Sequence, residues 1–121
     1  MIRKLAVAAV VFALGSIAAL AADFNGKWSG EITTPVGVVK YAYEFHVDGT
    51  TLTGKATNDQ GTTELKEGKI DGDNIAFVEM VNYNGDELRV EYTGTIDGDQ
   101  IKFVRKIDDF YSDDFVAKRM P

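Results

Sequence analysis

One eleven-residue segment occurs twice in the sequence, and it constrains the fold more than any other feature. The copies begin at Gly68 and Gly94, and eight of their eleven positions are identical. Each copy runs from a β-branched residue into Asp-Gly and then into alternating apolar positions. This pattern is typical of tight β-hairpins, because Asp and Gly tolerate the positive φ that such turns require. A fainter third copy begins at Val47, so the chain is predicted to contain three β-hairpins of the same kind.

Turn signals at nearly even spacing extend this prediction to the rest of the chain. Seven of them divide it into eight short segments with strand-like alternation, and no segment carries a sustained helical period. The predicted strands cover approximately residues 24–33, 38–47, 51–58, 62–70, 74–82, 87–96, 100–107 and 113–119. Eight antiparallel strands with short connections predict an all-β fold, a single up-and-down barrel of the lipocalin-like type. A two-sheet sandwich is the structural alternative.

The N-terminal residues predict a secretory signal peptide. Two basic residues precede an apolar run over residues 5–20 that ends in Ala-Leu-Ala, the small-residue pattern of a cleavage site. Residues 1–21 are therefore the predicted signal peptide and residues 22–121 the predicted barrel domain. A retained anchor is the weaker alternative, because the run is short for a membrane-spanning helix. We expect a periplasmic or secreted protein without stable membrane insertion.

Composition narrows the chemistry that the domain can perform. Removing the first 21 of 121 residues leaves 100, which is enough for one modest core. The absence of Cys excludes disulfides, thiol chemistry and Cys-based metal sites. The formal net charge of −6 becomes −8 when the two basic residues of the signal peptide are lost. Such acidity disfavours nucleic acid and anionic membrane surfaces as partners.

Alternation within the strands predicts which side chains face the barrel interior. Two charged residues, Glu79 and Arg105, share the phase of apolar neighbours and are predicted to point inward. Buried charges are costly unless they are paired, so we expect Glu79 to hold Arg105 or a ligand. The predicted walls of the pocket are aromatic residues of neighbouring strands: Tyr41, Tyr43, Tyr92 and Phe103. A phase break between Leu65 and Ile70 predicts a β-bulge near Glu67-Gly68.

The up-and-down topology separates the predicted turns into two ends. The Asp-Gly turns lie at one end, which is predicted to be tight. The other end has varied connections and is the predicted mouth, with aromatic side chains at Tyr83, Phe110 and Tyr111. Trp28 and Arg119 fall toward the tight end, where an Arg placed across the indole would form a floor.

The opening strand resembles that of a known superfamily. Residues 25–30 read Asn-Gly-Lys-Trp-Ser-Gly, and this motif, the eight-strand pattern and an Arg on the last strand resemble the calycin superfamily of lipocalins and avidin-like barrels. The chain also looks like small secreted bacterial lipocalin-like domains that occur alone or beside extracellular hydrolases. The resemblance implies a binder of a small molecule inside the barrel, with Trp28 and Arg119 as structural floor residues. The avidin-like set of biotin contacts has no counterpart here, and neither does the lipocalin disulfide.

The function predicted from these observations is binding of a small, at least partly apolar molecule. Arg105 would anchor an acidic or polar group of that molecule. No cofactor, metal ligand or catalytic residue is assigned. The turns Asp71-Gly72-Asp73 and Asp97-Gly98-Asp99 resemble pieces of calcium loops, but turn chemistry explains them.

The sequence leaves two other classes of function open. A glycoside-type hydrolase would use Glu79 together with a mouth carboxylate, Asp108 or Asp109. A protein-interaction module, or a homodimer, would use an outer strand face with the apolar positions Val78, Met80 and Val104. The residues around Asp113 are expected to form an acidic, solvated loop.

Overall fold

The computed structural model describes residues 23–121, so the predicted signal peptide lies outside the described residues. This part of the chain forms nine strands and contains no helix long and apolar enough to cross a membrane. The strands are β1 (Gly26–Thr34), β2 (Gly37–Asp48), β3 (Thr51–Asn58), β4 (Gly61–Glu64), β5 (Lys66–Asp71), β6 (Asn74–Tyr83), β7 (Asp86–Asp97), β8 (Gln100–Ile107) and β9 (Tyr111–Arg119).

The strands form one closed antiparallel barrel. Their order is β2-β1-β9-β8-β7-β6-β5-β3-β4, and the pairing of β2 with β3 closes the sheet. Strands β4 and β5 occupy one position of the barrel, which therefore has eight strands as predicted. The predicted bulge is also confirmed, because Glu67 has a φ of 53° and the β5–β6 register shifts between Lys66 and Lys69. The bulge lets both Leu65 and Ile70 pack against the core despite their odd spacing.

The two ends of the barrel differ in their turns. Gly49, Gly72 and Gly98 have φ values of 66°, 60° and 64°, and each is the first residue of a two-residue loop that follows a strand ending in Asp. A glycine with positive φ at that place is the requirement of a type II′ turn. The opposite end uses different turns, including positive φ at Asn84 and at Asp108. The sequence-based distinction between a tight end and a varied end is confirmed.

Aromatic rings fill the middle of the barrel. The Tyr43 ring lies at its centre, with ring centroids between 5.4 and 6.2 Å from those of six others: Tyr41, Phe45, Phe77, Tyr92, Phe103 and Phe115. Aromatic contacts of this kind add to the free energy gained by burying each ring. Burial of these rings supplies a core for a domain that has no disulfide.

Two glycines on the inner face make room for these rings. A Cβ atom at Gly30 would lie 2.7 Å from the Phe115 ring, and one at Gly94 would lie 2.7 Å from the Phe103 ring. Neither glycine has a positive φ, so close approach of a ring, rather than backbone conformation, requires the missing side chain. The interior is therefore packed ring against backbone at these two positions.

Candidate functional site

Glu79 points into the barrel, as predicted, and is 2% exposed. Its two carboxylate oxygens each accept a hydrogen bond, one from the Tyr92 hydroxyl at 2.8 Å and one from the Thr63 hydroxyl at 2.9 Å. The Tyr92 hydroxyl also lies 3.1 Å from that of Tyr43. Hydroxyl donors rather than a cation therefore stabilise the Glu79 carboxylate.

Arg105 is also inward, but the prediction that it pairs with Glu79 is wrong. Its Nε and Nη2 atoms each donate to one carboxylate oxygen of Asp113, both at 2.8 Å, and these two side chains are 7% and 9% exposed. Asp113 stands directly opposite Arg105 in the β8–β9 register, whereas Glu79 lies two strands away on β6. The bidentate geometry is the strongest form of an arginine–carboxylate pair.

Asp113 is the site residue that sequence reasoning missed. It falls at the start of the predicted last strand, 113–119, but its carboxylate was expected to be solvated; β9 begins at Tyr111, and the Asp113 side chain is only 9% exposed. Phe115 and Ala117 on the same strand are buried. Counting back from them in steps of two reaches Asp113, so strict alternation would have found this inward carboxylate.

The buried polar side chains form one electrostatic unit, which we call the polar layer: Tyr41, Tyr43, Thr63, Glu79, Tyr92, Arg105 and Asp113. Burial raises the pKa of Tyr41, Tyr43 and Tyr92, and the Glu79 charge raises all three further. Burial lowers the pKa of Arg105, but the hydrogen-bonded Asp113 and the nearby Tyr92 outweigh this effect, so its pKa is raised. Arg105 is therefore a permanent cation held against Asp113.

The predicted wall residues occupy two levels of the interior. Tyr43, Tyr92 and Phe103 are each 1% exposed and belong to the central ring cluster, where they contact one another. Tyr41 stacks on Tyr43 on the side nearer the mouth, with a centroid distance of 5.4 Å. Ligand contact by the three central residues stays a prediction, because a ligand reaches them only if rings move. Tyr41 is the wall residue closest to the open end.

Half-buried apolar side chains lie above the polar layer, toward the mouth. Val39, Val81 and Ile107 pack against the core while remaining partly exposed, and we call them the mouth ring. The surrounding turns carry apolar groups in solvent, with Phe110 70% and Tyr83 57% exposed. Tyr111 is half-buried beside them. The predicted mouth residues therefore lie at the same end of the barrel as the mouth ring.

The barrel wall is paired less completely near the mouth. The β1–β9 register covers only Trp28 to Gly30 against Ala117 to Arg119, at the tight end. Strand β4 pairs with β3, and the side-chain hydrogen bond from Thr63 to Glu79 links it to β6. These two seams are the places in the described barrel where strands can separate with the least loss of backbone hydrogen bonds.

The opposite end is closed by Trp28 and Arg119. Trp28 is fully buried, and its indole N–H donates to the Phe24 carbonyl at 2.9 Å. The Arg119 guanidinium lies 4.3 Å from the centre of the indole ring and donates to Asp99 at 3.0 Å. It also donates to the Asp23 carbonyl at 2.9 Å, which fixes the chain segment entering β1.

The outer positions that the interaction alternative would use, Val78, Met80 and Val104, differ in their exposure. Val104 is 51% exposed, but Val78 is only 5% exposed although it points outward. Val78 lies in register between Lys66 and Glu91, beside the ion pairs that join Glu67, Arg89 and Glu91. The stems of long charged side chains commonly cover an apolar neighbour in this way. Val78 is thus withdrawn from any contact surface.

The mouth carboxylates are held by the outer wall. The Asp108 side chain accepts a hydrogen bond from the Arg89 amide at 3.1 Å, and Asp109 lies 3.6 Å from the Lys106 ammonium. Glu79 instead accepts its hydrogen bonds within the barrel. The pairing of Glu79 with a mouth Asp that a glycoside hydrolase needs is therefore not supported by these contacts.

Neither protein-family models nor curated proteins match this chain. The architecture alone, a closed eight-stranded antiparallel barrel, is compatible with a calycin-like fold.

Proposed function

We propose that this chain is an exported binding protein that holds a small, at least partly apolar molecule at the mouth of its barrel. The observation that carries the proposal is the polar layer directly beneath the mouth ring. Burying Glu79, Arg105 and Asp113 is costly compared with burying apolar residues of similar volume. The aromatic cluster already provides a core, so polar groups placed at the open end indicate a role beyond stability.

The layers suggest how the ligand would be held. Val39, Val81 and Ile107 would contact its apolar body, because they are half-buried and have apolar surface still to cover. Tyr41, at the top of the stacked rings, would offer its hydroxyl to a polar group. Arg105 is already neutralised by Asp113, so an acidic ligand would have to compete with that carboxylate. A neutral hydrogen-bonding group therefore suits the site better than an acid.

Export and family membership belong to the same proposal. The basic start, apolar run and small-residue exit over residues 1–21 support a signal peptide. The closed barrel and the Arg119–Trp28 contact agree with what the resemblance to secreted lipocalin-like domains implies. The proposed function requires no cofactor.

Native mass spectrometry of the protein purified from its own host tests the proposal. A defined molecule should co-purify, be released on denaturation, and rebind to the emptied protein. Rebinding should be lost in Ile107→Asp and weakened in Tyr41→Phe. Val47→Asp is the matched control, because Val47 is also a half-buried apolar residue against the core but lies beside the Asp-Gly turn at the tight end. Equal loss of binding in both Asp variants, or retention in Ile107→Asp, would refute a mouth site.

A further inference from the structure

A concave surface lies on the outside of the barrel, away from the mouth. It is formed by two neighbouring rows of outward side chains that cross β5, β6, β7 and β8 in register. The first row is Lys69, Ala76, Thr93 and Val104, and the second is Asp71, Asn74, Thr95 and Lys102. We call this surface the outer trough. It lies toward the end that carries the Asp-Gly turns.

The shape of the outer trough follows from side-chain size along the rows. Small residues, Ala76, Thr93 and Thr95, occupy the middle, and long lysine side chains stand at two ends. The resulting depression has a volume of about 550 Å³ and opens to solvent.

The outer trough presents hydrogen-bond donors and positive charge. Lys69 and Lys102 stand at diagonally opposite corners, and within residues 23–121 neither forms an ion pair. Asp71 is the single acidic residue among those that line it. The Thr95 hydroxyl donates to the Asn74 carbonyl oxygen at 3.1 Å, so the Asn74 amide nitrogen is left as a donor. The two lysines and the neighbouring polar donors favour an anionic acceptor at this surface, and their local charge has to outweigh the repulsion from a chain of net charge −6.

A second depression on the outer wall provides an internal comparison. It has a volume of about 480 Å³ and is lined by residues that include Glu44, His46, Lys55 and Glu64. The two depressions are similar in size but opposite in charge, since one has two lysines with one acid and the other two acids with one lysine. Shape alone would make them equivalent, whereas charge assigns an anion to the outer trough only.

We propose that the outer trough binds an acidic oligosaccharide that carries carboxylate groups on successive sugars. Lys69 and Lys102 are three strand spacings apart, about 14 Å across the sheet, so they would engage separate acidic groups of an extended molecule. Thr93 and Asn74 would hydrogen-bond the hydroxyls between them. Ala76 and the exposed Val104 offer apolar surface to the C–H face of a sugar ring. This inference does not depend on the proposed mouth site.

The probe is a galacturonate trimer, titrated into the isotope-labelled protein and followed by amide NMR shifts. The amide shifts are expected at the residues in the two rows of the outer trough. The affinity for the trimer, obtained from these shifts, should decrease as salt is added. A neutral galactose trimer should cause no such shifts. Shifts confined to the mouth or to the second depression would overturn the proposal, and so would equal binding of the neutral trimer. If the same residues shifted when the protein was concentrated without the trimer, the surface would be a contact with a second copy of the chain. That result would also overturn the proposal.

Matched variants separate charge from shape. Lys69→Gln and Lys102→Gln should each weaken binding about two- to fivefold, the range typical of an exposed ion pair. Ala76→Phe should abolish binding by filling the trough, while the strand tolerates an aromatic residue on its outer face. Lys55→Gln, in the second depression, should leave the affinity unchanged. An unchanged affinity in both trough lysine variants would refute the assignment.

Discussion

The two halves of the barrel are built in different ways. The half that carries the Asp-Gly turns has three turns of one type, the paired part of the β1–β9 ladder and a buried Trp28 covered by Arg119. The mouth half has turns of different types, two incompletely paired seams and a layer of buried polar side chains. The tight half is thus stabilised by repeated turns and by burial of apolar side chains. The mouth half is stabilised by side-chain hydrogen bonds at places where backbone pairing is missing.

This difference teaches that stability and proposed function are separated along the barrel axis. Regular ladders and a fully packed end can hold the fold while the other end remains adaptable. Binding sites are commonly built on loops and strand ends that a rigid scaffold positions. If this separation is real, damage to the tight half should unfold the protein, and damage to the mouth half should have smaller or local effects.

The largest effect is expected from Trp28→Ala in the tight half. Removing a fully buried indole leaves a large cavity and should lower the free energy of unfolding by about 3–5 kcal/mol. Urea denaturation followed by circular dichroism measures this change. Phe110→Ala, which removes a 70% exposed ring at the mouth, should change the free energy of unfolding by less than about 0.5 kcal/mol. Similar losses in both variants would contradict the proposed separation of the halves.

Asp113→Ala should give the largest effect in the mouth half. It leaves the Arg105 cation buried without its partner, at an expected loss of about 3 kcal/mol in the free energy of unfolding. Asp114→Ala is the matched control, because the neighbouring carboxylate is exposed. The double variant Arg105→Met with Asp113→Leu should recover most of the lost stability. If Asp113→Ala were as mild as its control, the ion pair would not matter to the fold.

Alkaline pH should destabilise the protein through the polar layer. Burial raises the pKa of Tyr41, Tyr43 and Tyr92 in the folded state, whereas the unfolded chain ionises near the ordinary value of about 10. Stability is therefore fully present below about pH 10 and declines above it, by about 1.4 kcal/mol per pH unit for each tyrosine. Urea midpoints measured across this pH range give the slope. Tyr92→Phe should reduce that slope, and an unchanged slope would show that Tyr92 does not take part.

Thr63→Val should loosen the seam between β4 and β6. The substitution keeps the side-chain shape but removes the hydroxyl that donates to Glu79, at a cost of about 1 kcal/mol. Hydrogen exchange should speed up in β4 and in the last residues of β6, and not at the tight end. Thr53→Val on the outer face is the control. Faster exchange throughout the barrel would show that the seam is not an independent unit.

The smallest effect is expected from Arg119→Gln. The guanidinium over Trp28 and its contact with Asp99 are partly exposed, so their loss should cost about 0.5–1 kcal/mol. Chemical denaturation, with Lys118→Gln as a control on the same strand, measures the difference. A loss as large as that of Trp28→Ala would mean that Arg119, and not burial of the indole, maintains this end.

Much of the fold could be predicted because its signals are local. The Asp-Gly repeats specify turns through the conformations that Gly allows, and alternation then specifies the inner face of each strand. The bulge at Glu67 was predictable for the same reason, since Leu65 and Ile70 cannot face one core without it. The number of strands and the inward directions of Glu79 and Arg105 followed from these rules.

The partners inside the barrel could not be predicted in the same way. Alternation gives direction but not the identity of the side chain opposite, which depends on register between strands. Glu79 was expected to hold Arg105 or a ligand because both side chains point inward, yet the β8–β9 register places Asp113 directly across from Arg105. Val78 shows the same limit on the outer face, because its burial depends on long side chains from two neighbouring strands.

Because aromatic rings pack directly against two inner-face glycines, a substitution at one of these positions requires a compensating substitution at its neighbours. Gly30 can gain a side chain only if Phe115 yields space, and Gly94 only if both Phe103 and Ile101 do so. A designer who wants an open lumen can exploit this coupling. Replacing Phe103 and Phe115 with smaller residues would leave a cavity beside the backbone of the two glycines. Replacing the glycines with alanine would then fill part of that cavity. The volume inside this barrel is thus set jointly by the two glycines and the side chains that face them.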